Sequence, residues 1–114
     1  MPAYQQSDLV KVPFPYTDQT KFQRRPALVL STSGFQEQHG LLWVVMVTSA
    51  ENREWTGDVP IDDYAAAGLP APSVIRTAKI ATIDARDAEP LGAVPAEITR
   101  TVLREVARQI GLAT

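Results

Sequence analysis

Leu41-Leu-Trp-Val-Val-Met-Val-Thr-Ser49 is the stretch on which the fold turns. It holds no proline or glycine and four β-branched residues, the composition of a strand. Alternation sets Leu42, Val44, Met46 and Thr48 on one side and Leu41, Trp43, Val45, Val47 and Ser49 on the other. Both sides are largely apolar, so the strand is predicted to be central, with neighbours on each edge and cover on each face.

On the N-terminal side, Ala27 to Ser31 reads as a continuous apolar strand and Asp8 to Pro13 as the first strand. Pro13 and Pro15 end the first strand, because proline cannot donate to a ladder. Tyr16 to Gln23 is polar and reads as a loop. Ser33-Gly34 and His39-Gly40 punctuate the connection that leads into Leu41. On the C-terminal side, Val59 and Ile61 mark a short strand, and Asp62 to Gly68 suits one helical turn stopped by glycine. Pro70 and Pro72 impose extended chain. Ser73 to Arg76 and Lys79 to Asp84 read as two strands or as one kinked strand, and Leu91 to Val94 as the last.

The final segment has another period. Pro95 opens a helix, where its missing N–H costs nothing. Ile98, Val102, Val106 and Ile110 recur every four residues, Leu103 and Ala107 widen the stripe, and Gly111 is the expected stop. Arg100, Arg104 and Arg108 fall on the polar side. Several short strands followed by one helix predict a mainly β (α+β) domain over residues 1–114. Its form is a small β-barrel or strongly bent sheet closed by a C-terminal α-helix.

Composition narrows the function classes. The absence of cysteine excludes disulfides and thiolate metal sites and suits a reducing, cytoplasmic setting. The N-terminus has no basic start followed by an apolar stretch, so no signal peptide is expected, and Leu41 to Val47 is too short to span a bilayer. A net charge of -2 gives no bulk attraction to nucleic acid. Any such role must come from where the arginines sit. One histidine, His39, read as a loop residue, excludes a two-histidine acid–base pair and makes a poor metal site. No cofactor or metal is expected.

Arg24-Arg25-Pro26 opens the Ala27 to Ser31 strand. A pair of guanidiniums at the mouth of a buried strand suits an anion, phosphate above all, because a guanidinium grips two oxygens at once. Thr48 closes the central strand with a hydroxyl able to bond a phosphate oxygen, although by pattern alone it reads first as a β-forming residue. Ser49 faces the other way and is a supporting candidate. Lys21, Arg24 and Arg53 are candidates for steering phosphates. Phe14, Tyr16 and Trp55 offer aromatic faces for unpaired bases; Phe14, between prolines, reads as core and Trp55 as a loop residue.

At these residues the chain resembles the MazF/PemK family of toxin–antitoxin endoribonucleases. Val12-Pro-Phe-Pro-Tyr-Thr-Asp18 is similar to the family's first strand and loop, and Arg24-Arg25-Pro26-Ala27-Leu28-Val29-Leu30-Ser31 to its Arg-Pro strand. Val47-Thr48-Ser49, Pro72-Ser73-Val74-Ile75-Arg76, Ile80-Ala81-Thr82-Ile83-Asp84 and the closing helix follow in the family's order. The resemblance implies an SH3-like barrel of the CcdB/MazF type, acting as a cytoplasmic homodimer. It implies metal-independent, sequence-selective cleavage of single-stranded RNA by 2′-OH attack on the adjacent phosphate, and a cognate antitoxin whose flexible acidic tail covers the RNA groove. By the same resemblance Arg25, Thr48 and Arg76 are the catalytic residues; Arg24, Ser49, Arg53 and Trp55 are the RNA-binding candidates read from their own charge, hydroxyl or ring. Ala78 stands where some members carry an acidic candidate base, and the nearest downstream carboxylate is Asp84. Two alternatives stay open on the same fold: a non-enzymatic toxin that binds DNA gyrase, as the related CcdB toxins do, and an inactive barrel.

Overall fold

The structure, a computed structural model, describes residues 3–14 and 23–112. Six strands run β1 (Asp8–Phe14), β2 (Gln23–Val29), β3 (Leu41–Ser49), β4 (Val59–Ile61), β5 (Ser73–Asp84) and β6 (Glu89–Ala93). Helix α1 (Ser33–His39) links β2 to β3, and α2 (Ala96–Gln109) closes the fold. All pairings are antiparallel, and the strands form one curled sheet in the order β4-β5-β3-β2-β1-β6. The stretch Leu41 to Ser49 is β3, lying between β2 and β5 as its two apolar sides require.

Each face of the sheet carries its own core, which explains the apolar alternation on both sides of β3. Leu9, Leu28, Val45, Val47, Val59, Ile61 and Ile75 pack with Val102 of α2 on one face. Val10, Val12, Phe14, Ala27, Val29, Leu42, Val44, Met46 and Ile83 pack with Tyr4 on the other. Burial of this kind stabilises by roughly 25 cal/mol per Å² of apolar surface removed from water.

Curling brings the two edges together. The turn after β4 meets β6 at Gly92, where a Cβ would lie 2.1 Å from the Ala67 carbonyl oxygen. Only glycine permits that backbone approach.

Several sequence expectations are corrected. The connection after β2 is helix α1. Thr32 caps it by accepting from the Phe35 N–H, and Gly40 ends it in the left-handed region at φ 69°. His39 is the last residue of that helix, its ring against Phe35. Strand β2 starts at Gln23 and ends at Val29, because Arg24, Arg25 and Pro26 are held in the ladder with β1. Phe14 extends β1 past Pro13 and is buried core, as read. The segment from Ser73 to Asp84 is one strand with an irregularity. Residues 77–79 are extra between the pairs Met46↔Arg76 and Val45↔Ile80. The last strand lies at Glu89–Ala93. Helix α2 starts after Pro95 and stops before Gly111, as read, but Ile110 lies beyond it and is 68% exposed.

Candidate active site

Strand register decides which side chains share a face. Val12 pairs with Arg25, and Ala27 pairs with Met46, which pairs in turn with Arg76. Directly paired residues point to the same side. Arg25, Met46 and Arg76 therefore lie on the face of the Tyr4–Val12–Met46 core, and Thr48, two residues beyond Met46, joins them. The β2–β3 ladder ends at the Ala27↔Met46 pair, with Arg25 two residues before Ala27 and Thr48 two residues after Met46. The polar row thus sits at one end of a face whose other end is closed by apolar packing.

Thr48 is 7% exposed, and its Oγ1 accepts a hydrogen bond of 2.6 Å from the Asn52 side-chain amide. Arg25 is half-buried, its Nε enclosed. Ser49 faces the opposite side by alternation, and its Oγ accepts from the Glu51 N–H. Arg24 also alternates away from Arg25. Its Nη2 donates to the carbonyls of Lys11 and Asp87 and pairs with Glu89 at 3.1 Å, tying β2 to the β6 edge.

Arg76 is buried, and its guanidinium grips Asp58 with two bonds, Nε to Oδ1 at 3.2 Å and Nη2 to Oδ2 at 3.0 Å. The same Nη2 donates to the Arg53 carbonyl at 2.7 Å. The guanidinium lies 4.5 Å from the centre of the Trp55 ring, with Lys79 Nζ 5.5 Å from it. Trp55 is 37% exposed and Arg53 is exposed. Arg76 therefore organises residues 51–58, the loop that displays Asn52, Arg53 and Trp55 beside Thr48. Thr77 adds a bond to the Gly57 carbonyl.

Asp58 and Asn52 are the residues that sequence reasoning missed. Asp58 supplies the carboxylate beside Arg76 from 18 positions upstream in the chain. No local motif announces such a pair; the only signal was the acidic cluster between Asp58 and Asp63. Burial alone would raise the Asp58 carboxyl pKa, but the Arg76 hydrogen bonds, the Trp55 N–H and the Arg76 charge hold it below the ordinary value. A carboxylate so held is a poor proton acceptor. Asp84 is no better placed: the hydrogen bonds from Arg86 hold it at about 2, and it pairs with Leu41 at the far end of β3. Among the described residues, no group of three His, Cys, Asp or Glu is arranged to hold a metal ion. Tyr16 and Lys21 lie outside the described residues.

A family model described as PemK-like, MazF-like toxin of type II toxin–antitoxin system matches residues 5–111. The chain belongs to this toxin family. Its fold is that of solved MazF structures. MazF from Deinococcus radiodurans aligns with a TM-score of 0.81 at 25% identity, covering 97% of this chain and 99% of that one. A MazE–MazF complex from the same organism aligns at 0.78 and 25% identity over 99% of this chain and 100% of that chain. Mycobacterium tuberculosis toxin MazF-mt6, at 21% identity, shares the fold with a TM-score of 0.71 over 92% and 98% of the two chains. No curated protein matches the chain. The MazF/PemK toxin fold here is a six-stranded curled sheet, a half-barrel, with its C-terminal helix on one face. No helix among the described residues is long and apolar enough to cross a membrane.

Proposed function

We propose that this MazF/PemK-family toxin is an endoribonuclease that cuts single-stranded RNA without a metal ion. The observation that carries the reading is the shared sheet face of Arg25 and Thr48 at the ends of adjacent strands. A guanidinium and a hydroxyl so arranged suit one backbone phosphate. In the proposed reaction the ribose 2′-OH attacks the adjacent phosphorus and the bond to the 5′-oxygen breaks. The 2′-proton is lost to solvent and the leaving oxygen takes one up, giving a cyclic phosphate and a 5′-OH. Arg25 stabilises the charge that builds on the phosphate oxygens, and Thr48 hydrogen-bonds one of them. Arg76 acts on the same site by fixing the loop that carries Arg53 and Trp55, which contact flanking phosphate and base. With Asp58 held ionised by Arg76, that carboxylate is not the base, and orientation and electrostatics carry much of the rate. Ser49 supports the turn behind Thr48, and Arg24 steadies the β2 edge.

The same reading includes a homodimer and a cognate antitoxin. Trp43 and Ile80 are each 49% exposed beside α2, and with Phe35, Leu103 and Val106 they line an apolar groove of about 540 Å³ that suits a second copy. A MazE–MazF complex among the structural relatives supports an antitoxin partner, whose acidic tail would suit Arg25 and Arg53.

The test is digestion of a defined single-stranded RNA by the purified toxin, with excess EDTA and with Arg25→Ala. Cleavage that survives chelation, yields cyclic phosphate ends and disappears with Arg25→Ala is the expected result. Undiminished cutting by Arg25→Ala overturns the site, and inhibition of gyrase supercoiling without RNA cleavage overturns the activity. Light scattering at micromolar concentration tests the dimer, which Ile80→Glu should weaken.

A further inference from the structure

The Asn52 side chain donates to Thr48, a contact outside the chemistry proposed above. Asn52 lies in the turn directly after β3, four residues beyond Thr48. That turn is fixed by its own bonds: Ala50 N–H to the Pro72 carbonyl at 2.9 Å, Glu51 N–H to Ser49 Oγ at 3.2 Å, and Asn52 N–H to the Ser49 carbonyl at 3.1 Å. The Asn52 backbone is therefore set by the sheet end, and its side chain returns across the turn to Thr48 at 2.6 Å.

A threonine hydroxyl carries one proton and two lone pairs. The Asn52 amide occupies one lone pair as donor, so the hydroxyl proton is confined to the remaining directions and Thr48 serves as a donor. A phosphate oxygen is a pure acceptor and requires a donor at that point. We propose that Asn52 is the positioning residue of Thr48, holding its hydroxyl in the sense that donates to the phosphate; this rests on the phosphate role of Thr48 proposed above. Asn52 itself needs no contact with the RNA.

The isosteric change Asn52→Asp tests the polarity, because a carboxylate only accepts and would draw the Thr48 proton to itself. Its added charge is separated from that effect by a double-mutant cycle with Thr48→Val, which has no hydroxyl to orient. In the Thr48 background, Asn52→Asp should lower kcat/KM on single-stranded RNA by roughly tenfold, chiefly through kcat, and by no more than about twofold in the Thr48→Val background. Asn52→Gln, which keeps an amide donor, should retain most of the activity. The same cycle is measured as affinity for a fully 2′-O-methylated oligonucleotide, which cannot be cut, with thermal unfolding as a check on folding. Equal losses in both backgrounds, or wild-type behaviour of Asn52→Asp, overturns the proposal. A toxin that binds the methylated strand with the 52–48 coupling intact yet cuts no RNA sinks the ribonuclease reading while supporting the positioning role. Binding without coupling, or no binding, overturns the positioning role itself.

Discussion

Arg25 and Arg76 share one sheet face and one chemistry but have different surroundings. Arg76 is enclosed, its fork filled by Asp58 and the Arg53 carbonyl and its plane against Trp55. Arg25 is half-buried in β2, two residues before the last β2–β3 pair, Ala27↔Met46, and Thr48 lies two residues beyond that pair in β3. The difference teaches that two arginines in one site divide the work. One holds a loop in place, and the other is the arginine proposed to meet the phosphate. Residue type alone does not distinguish them; burial does, since Arg76 is 6% exposed and Arg25 half-buried.

The largest effect should come from Asp58→Ala. It leaves the Arg76 charge buried without its counter-ion, which typically costs roughly 3–5 kcal/mol. Urea unfolding measures it, and a loss below about 1 kcal/mol, the range of exposed pairs, would break the contrast between the two arginines. Arg25→Ala should do the reverse, lowering kcat by roughly 10²–10³ through the lost oxyanion donor while the unfolding midpoint stays near wild type. If its stability falls as far as that of Asp58→Ala, Arg25 is a structural arginine too.

Arg24→Gln sharpens the comparison from the next position along β2. Its side chain is 39% exposed and its Glu89 partner 64% exposed, so the expected stability loss is at most about 1 kcal/mol. RNA cleavage should stay within about twofold, since the loss of one exposed charge acts mainly on encounter. A larger drop in cleavage, measured at two salt concentrations, would return Arg24 to the RNA path.

The smallest effect concerns pH. The folded Asp58 pKa lies below its ordinary value, so the Asp58–Arg76 contribution is fully present above the unfolded carboxylate range and fades as pH falls through the folded value. Unfolding curves between neutral and acid pH should therefore be shallower for Asp58→Asn/Arg76→Gln than for wild type. Parallel curves would mean that the pair carries no pH-linked stability.

Much of this was legible in the chain. Apolar alternation placed β3 at the centre, because a strand with core packed on both faces carries apolar residues on each, and a polar one there needs a partner. The four-residue stripe and its proline and glycine limits gave α2, since caps act locally. Helix α1 escaped because it is one short segment whose cues, Thr32 and Gly40, also serve turns. The bulge at residues 77–79 escaped because register depends on the partner strand.

The sequence by itself determined most of the strands and the closing helix, because periodicity is a property of adjacent residues, and its motifs carried the resemblance that made Arg25 and Thr48 candidates. Only the tertiary structure decided that Asp58 reaches Arg76, that Arg24 and Arg25 part to opposite faces, and that Asn52 turns back to Thr48. Those contacts depend on how separate segments are brought together, and the energy of a buried charge or a fixed hydroxyl exists only once its partner has arrived.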